Sequence, residues 1–134
     1  MEYSQLKNII KDEDRVILGD NIEKEYLTDG LGLEYGEADA LVFIKNTNEV
    51  IDIMKFANEN LIPVTPRGAG TCLTGANIPT ERGIILDLSK MNNILELDEE
   101  NLNIIIEPGV LLKDLQAYVE SKNLFYPPDP GEKA

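Results

Sequence analysis

The sequence predicts an α+β fold that consists of a βαβ unit followed by a small mixed sheet. Residues 41–44 are a continuous apolar run, which is typical of a strand covered on both faces. An amphipathic helix follows, and a second apolar run lies at residues 61–65, so these two strands are expected to be parallel. Further strands are predicted at residues 84–88, at 94–97 and, across a polar turn at 98–101, at 102–106.

The helix of the βαβ unit has a recognisable start. Asn46 or Thr47 is expected to cap it, with Glu49 three residues after Asn46 as in a capping box. Its apolar stripe is predicted to contain Val50, Ile53, Met54 and Ala57.

Two further helices and one connection complete the prediction. Residues 2–12 are expected to form a helix with Leu6, Ile9 and Ile10 on one side. Residues 110–122 are expected to form another, with Leu111, Leu115, Tyr118 and Val119 on one face. Residues 19–39 are glycine-rich without a clear period, which favours an ordered surface connection.

Composition excludes several classes of function. The net charge of −13 disfavours binding to nucleic acid or to an anionic membrane surface. No apolar run approaches the length of a membrane span. The absence of histidine excludes a His-based triad or a histidine metal site within this chain. The single cysteine, Cys72, excludes an internal disulfide and fits a cytoplasmic location.

The strongest chemical signal is the glycine-rich segment that follows the second strand. Glycines let successive backbone N–H groups turn toward one point, and such a nest binds an anion, typically a phosphate. Threonine hydroxyls and one arginine add donors. A flexible connection between strands is the competing interpretation, and the segment alone does not decide between the two. The candidate residues are Pro66, Arg67, Gly68, Ala69, Gly70, Thr71, Leu73, Thr74 and Gly75.

Two common nucleotide motifs do not fit this segment. The Walker pattern requires Lys and Ser or Thr after its last glycine, but Ala76 and Asn77 follow Gly75. The Rossmann pattern requires a third glycine where Leu73 stands, and a helix where a proline and a strand follow. Cys72 is interpreted as a small packed side chain.

Several blocks in order resemble one family. PVTPRGAGTCLTGANIP, then IILDLSKMNNILELDEENLNIIIEPGVLLKDLQ and YPPDPG, are similar to the FAD-linked oxidases, which include D-lactate dehydrogenases, D-2-hydroxyglutarate dehydrogenases and one of the subunits of glycolate oxidase. These enzymes belong to the vanillyl-alcohol oxidase and p-cresol methylhydroxylase (PCMH) type of flavoprotein. The resemblance runs from about Tyr26 to the last residue.

The resemblance implies a cofactor and a location for it. The chain would be the first subdomain of a PCMH-type FAD-binding domain, with residues 67–75 around the FAD pyrophosphate and Pro128 and Asp129 near the flavin. Tyr26 and Asp29 match an entry segment with a structural role. Thr71 occupies the place of a histidine that bonds covalently to the flavin in many relatives, so FAD is expected to be non-covalent. Lys45 replaces a proline common after the first strand.

The resemblance also implies that residues 1–134 are an incomplete FAD-binding domain. The family continues with a second glycine-rich stretch, a second FAD subdomain and a substrate cap that carries its acid–base residues. The longer enzyme would oxidise a 2-hydroxy acid such as glycolate or D-lactate and pass electrons to a downstream acceptor. The alternatives are another flavoenzyme of the superfamily and a non-catalytic anion- or nucleotide-binding module. Alone, this chain is expected to be inactive and to self-associate.

Overall fold

The computed structural model describes residues 3–130, which form two sheets and three α-helices. In chain order the elements are α1 (Leu6–Ile9), β1 (Val16–Leu18), β2 (Ala40–Phe43), α2 (Thr47–Glu59), β3 (Val64–Arg67), β4 (Ile84–Asp87), β5 (Ile94–Asp98), β6 (Asn103–Ile106) and α3 (Leu112–Glu120). Short 3₁₀ turns lie at Tyr3–Gln5, Glu13–Arg15, Gly19–Asn21 and Lys24–Leu27.

The main sheet has four strands in the order β1-β2-β4-β3. β2 and β3 each pair with β4 in parallel, whereas β1 pairs with β2 in antiparallel fashion. The prediction of two parallel strands in one sheet is therefore confirmed, with β4 lying between them. The separate sheet is the predicted antiparallel hairpin of β5 and β6. Asn101 stabilises the turn of this hairpin by donating its N–H to Asp98 Oδ1 at 3.0 Å.

Side chains alternate between the two faces of the main sheet along each strand. Both faces are covered by other parts of the chain. On one face, Ala40, Val42, Ile84 and Leu86 pack against α1 and α2 in a fully apolar core. On the other face, Leu41 and Ile85 pack against residues 22–27. The prediction of a strand covered on both sides is thus confirmed for β2.

Residues 19–39 are ordered, as predicted, but the expectation of a surface connection is wrong in part. Ile22 is buried, and Tyr26 and Leu27 pack against the sheet because the second sheet face has no helix of its own. The segment closes with a single bridge between Thr28 and Tyr35.

Helix α2 begins as predicted, since Asn46 Oδ1 accepts the Glu49 N–H at 3.0 Å. The Glu49 carboxylate binds Lys45 N and Arg15 instead of returning to Asn46 N. Ile53 and Ala57 are buried, but the predicted burial of Met54 is wrong, since 44% of it is exposed.

The strand predicted at residues 61–65 begins three residues later, at Val64. Leu61 has φ 54° and is 90% exposed, and Ile62 donates its N–H to Ala57 O at 2.8 Å. Leu61 therefore ends α2 with a left-handed turn of the kind that satisfies the last helical carbonyls.

The first helix is shorter than the predicted range 2–12, of which Glu2 lies outside the described residues. Ile10 leaves the helical conformation at φ −98° and ψ 98° and is completely buried, because the chain turns there to insert it into the core. Strand β1 was not predicted, although Val16-Ile17-Leu18 is a short apolar run before Gly19. The helix predicted at 110–122 is confirmed in its central part as α3.

Candidate functional site

The glycine-rich segment lies at the carboxyl end of β3 and leads back to β4. The parallel strands β2, β3 and β4 all end at this edge of the sheet. In open α/β sheets this edge is where ligands bind, because loops rather than side-chain layers surround it.

The start of this segment forms one wall of a cleft of about 440 Å³. Gly70 has φ 76°, a left-handed conformation that glycine adopts without strain. Among the described residues, the backbone N–H groups of residues 68–71 make no hydrogen bond. The cleft is lined by Pro66, Gly68, Ala69, Gly70, Thr71, Cys72, Ala76 and Asn77. A cleft with free N–H groups in its wall fits an anionic group such as a phosphate.

The Arg67 side chain points away from this cleft and into the protein. Its Nη1 donates to Thr28 O at 2.7 Å and its Nη2 to Glu25 O at 2.8 Å, and its guanidinium lies 5.7 Å from the centre of the Tyr26 ring. A Cβ added to Gly70 would come within 2.2 Å of Nη2. Arg67 thus supports the segment from the side that faces the protein interior and links it to residues 25–28.

Asp29 ties the far end of the segment to the same region. Its Oδ1 accepts the N–H groups of Leu31 and Gly32, and its Oδ2 accepts the Gly75 N–H at 3.1 Å. Gly30 donates its N–H to Cys72 O at 2.8 Å. The sequence analysis expected a structural role for Tyr26 and Asp29, and these contacts define that role: they hold both ends of the glycine-rich segment.

Leu73, Thr74 and Gly75 line a second cleft, beside Asp29. Thr74 donates its N–H to the sulfur of Cys72 at 3.5 Å, and its hydroxyl lies 3.3 Å from that sulfur. The Thr74 hydroxyl, followed by backbone N–H groups, lowers the pKa of the Cys72 thiol below its usual range. Cys72 is partly exposed, so the expectation of a simply packed side chain is wrong.

Asn77 is the polar residue of the cleft that the sequence analysis did not select. It is only 6% exposed, and neither its side-chain nitrogen nor its oxygen has a hydrogen-bond partner among the described residues. A buried carboxamide without partners is unusual, because each unmade bond costs free energy. Its position two residues after the last glycine of the motif was the available signal.

Pro128 and Asp129 follow α3 in the C-terminal segment and line neither cleft. Gln116 donates its side-chain N–H to Pro128 O at 3.4 Å, which fixes that segment against α3. Their expected position near the flavin stays a prediction.

Two negative findings apply to residues 3–130. No helix there is both long and apolar enough to cross a membrane. No group of three or more His, Cys, Asp or Glu side chains in this range is arranged to hold a metal ion.

Curated relatives resemble this chain along most of its length. It is 46% identical over 121 residues to a D-lactate dehydrogenase of Anaerostipes hadrus, covering 89% of this chain and 25% of that protein. It is 49% identical over 93 residues to glycolate oxidase subunit GlcD of Bacillus subtilis, covering 69% of this chain and 20% of that protein. The chain therefore spans about a quarter or less of the length of these relatives.

Solved structures share the fold. Alkyldihydroxyacetonephosphate synthase superimposes with a TM-score of 0.79 over 97% of this chain and 27% of the other, at 20% identity, which shows the fold alone. p-Cresol methylhydroxylase with substrate bound superimposes with a TM-score of 0.71 over 90% of this chain and 24% of the other, at 25% identity. The expected PCMH-type architecture is confirmed. A family model described as FAD binding domain matches residues 38–134, so the chain belongs to the FAD binding domain family, with FAD as its cofactor.

Proposed function

We propose that residues 66–75 hold the pyrophosphate of FAD without a covalent bond, as the first subdomain of a flavin-dependent 2-hydroxy-acid dehydrogenase or oxidase. Within this proposal the chain is an incomplete FAD-binding domain, and its relatives are about four times longer. The observation that carries the proposal is the row of free backbone N–H groups at residues 68–71 in the wall of the larger cleft.

This cradle would bind phosphate through dipoles rather than through a formal charge. The Arg67 guanidinium is engaged by two backbone carbonyls on the inner side of the segment. Backbone N–H groups that converge on one point attract anions without a cation in contact. The role first expected of Arg67, a hydrogen-bond donor to the bound anion, is therefore replaced in this proposal by support of the segment that binds the cofactor.

Thr71 supports the non-covalent attachment, because its hydroxyl is a far weaker nucleophile toward a flavin than the imidazole found in covalent relatives. Residues 66–75 would hold FAD, which would supply the oxidising chemistry that converts a 2-hydroxy acid to a 2-oxo acid and passes the electrons to a downstream acceptor. The residues of this chain bind and orient the cofactor, and its acidic surface fits neither nucleic acid nor an anionic membrane. A cytoplasmic location is part of the same proposal. A non-catalytic nucleotide-binding module is not favoured, since the curated relatives are named as dehydrogenases and an oxidase subunit.

The proposal is tested with Gly68→Val. A Cβ at Gly68 would make only an ordinary contact, at 3.9 Å from Pro108 O, whereas a Cβ at Gly70 collides with Arg67. Gly68→Val therefore adds bulk in the cleft without disturbing that support, and Ala117→Val adds similar bulk on the exposed side of α3 as a control.

FAD binding is followed at equilibrium by backbone amide chemical shifts in a ¹⁵N-labelled chain. We expect the amides of residues 68–71 to shift with FAD in the wild type and in Ala117→Val, and to respond at least ten times more weakly in Gly68→Val. Undiminished binding by a folded Gly68→Val would show that the phosphate lies elsewhere.

Binding to this chain alone is expected to be weak. A site that covers part of a ligand leaves the rest in water, and the remaining contacts must offset the cost of immobilising a flexible cofactor. We expect the purified chain to be colourless after desalting from FAD and to show no turnover of glycolate or lactate with a dye acceptor. A stoichiometric yellow protein would contradict this expectation.

Exposed apolar side chains support the predicted self-association. Leu102 is 71% exposed and Phe125 77% exposed, and both line a cleft of about 260 Å³ between the β5–β6 hairpin and α3. Exposed apolar patches of this kind favour association. Sedimentation velocity over a range of concentrations tests this point, and a monomer at all of them would contradict it.

A further inference from the structure

Asn77 is held firmly in place on both sides in the sequence. It lies within a turn that Ile78 closes by donating its N–H to Gly75 O at 3.0 Å. After it, Pro79 is completely buried. The Asn77 carboxamide therefore lies in the protein interior beside the cleft that residues 68–72 line.

In the absence of a ligand this carboxamide destabilises the fold. Each buried polar group that lacks a partner costs about 1–3 kcal/mol relative to a satisfied one. A leucine has the same branching at Cγ and would avoid that cost. An apolar side chain at position 77 would therefore make the described structure more stable than Asn77 does. This points to a role for Asn77 in binding.

The chemistry of a carboxamide restricts what satisfies it. One end donates and the other accepts. The diesterified pyrophosphate of FAD offers acceptors only at neutral pH, so it pairs with the nitrogen and leaves the oxygen unpaired. A hydroxyl next to the phosphate supplies the missing donor, and FAD carries such hydroxyls on its ribityl chain and on its adenosine ribose.

We propose that Asn77 contacts the cofactor directly, with Nδ2 donating to a phosphoryl oxygen and Oδ1 accepting from an adjacent sugar or sugar-alcohol hydroxyl. This inference rests on the proposed function of the glycine-rich segment. Both carboxamide atoms are shielded from solvent, so the contact forms as the segment shifts around the ligand, a movement that the left-handed glycines Gly70 and Gly75 accommodate.

The side-chain NH₂ signals of a ¹⁵N-labelled chain report on this contact separately from the backbone. The Asn77 pair is assigned by its loss in Asn77→Leu, and the NH₂ pair of Asn58, exposed on α2, is the internal control. With FAD we expect the Asn77 pair to shift together with the backbone amides of residues 68–71, while the Asn58 pair stays unchanged. Inorganic pyrophosphate should move the backbone amides and should shift the Asn77 pair clearly less than FAD does, because it has no adjacent sugar hydroxyl for Oδ1.

Two smaller ligands identify the hydroxyl. A larger shift of the Asn77 pair with FMN than with ADP assigns the ribityl chain, and a larger shift with ADP assigns the adenosine ribose. Backbone amides that respond to FAD while the Asn77 pair stays still would overturn the inference and leave the proposed function intact. Backbone amides that do not respond to FAD would overturn both. An equal response of the Asn77 pair to pyrophosphate would refute the hydroxyl contact.

Stability provides a second and independent readout. We expect Asn77→Leu to raise the Tm of the ligand-free chain and to weaken FAD binding at least tenfold, whereas Asn58→Leu leaves FAD binding unchanged. A lower Tm for Asn77→Leu would show that the carboxamide supports the fold, and the inference would fall.

Discussion

Replacement of Arg67 by methionine tests whether this buried arginine holds the glycine-rich segment to residues 25–28. Its guanidinium makes hydrogen bonds of 2.7 and 2.8 Å to two backbone carbonyls, and the residue is 9% exposed. Hydrogen bonds to charged groups contribute about 1.5–3 kcal/mol each, and methionine retains the apolar stem of the side chain. Since removing the charge also relieves part of its desolvation, we expect a loss of about 3 kcal/mol in the free energy of unfolding.

The assay is urea denaturation followed by circular dichroism. Arg82→Met is the matched control, because Arg82 makes ion pairs with Glu37 and Asp39 on the surface, where such pairs stabilise little. We also expect Arg67→Met to weaken FAD binding, although Arg67 makes no contact in the cleft. Equal unfolding free energies for the two variants would refute the argument that Arg67 is a structural support.

Four further outcomes are expected. Asp29→Asn removes the charge that fixes the Gly75 N–H and should weaken FAD binding several-fold in a titration, with far-UV circular dichroism unchanged. Unchanged or tighter binding would contradict the role of Asp29 in holding the glycine-rich segment. Because the pKa of Cys72 is lowered, the rate of its alkylation by iodoacetamide should rise at a lower pH than the rate for free cysteine. The same pH dependence for Cys72 and free cysteine would contradict this. The hydrogen bond with Arg15 lowers the pKa of Glu49, so its stabilisation is present above the unfolded pKa and is lost as pH falls through the folded one. Glu49→Gln should therefore cost about 2 kcal/mol at pH 7 and much less at pH 3 in urea denaturation; an equal cost at both would contradict this. Because the net charge is −13 and no Lys or Arg among residues 3–130 lines the cleft, added salt should strengthen FAD binding, and a weaker affinity at high salt would contradict that.

Local sequence patterns predict the elements whose signals are local. The cap at Asn46, the continuous apolar run of β2 and the hairpin turn at residues 98–101 each depend on a few adjacent residues. The insertion of β4 between β2 and β3 depends on pairing between distant segments, and no local pattern carries it. The strand prediction is wrong at Leu61 because the apolar character of that side chain says nothing about its left-handed backbone.

The candidate site shows the same division. Glycine spacing and the family resemblance predict which segment surrounds the phosphate. The inward direction of the Arg67 side chain could not be predicted, since an arginine beside a phosphate-binding loop is ordinarily interpreted as a ligand. Asn77 was missed because its significance lies in the hydrogen bonds that it lacks, and only the folded structure shows that.

The strand order of the main sheet has a consequence for how the chain folds. β2 and β3 are synthesised before β4, yet neither pairs with the other, so the three parallel strands form ladders only when β4 enters between them. Residues 68–83 must close as a loop for that to happen, and the entropy of closing it is lost before any central ladder compensates. The same loop carries the proposed anion site. A ligand that binds this closed loop and not the unfolded chain shifts the folding equilibrium by mass action, so cofactor supply would govern how much of the chain is folded.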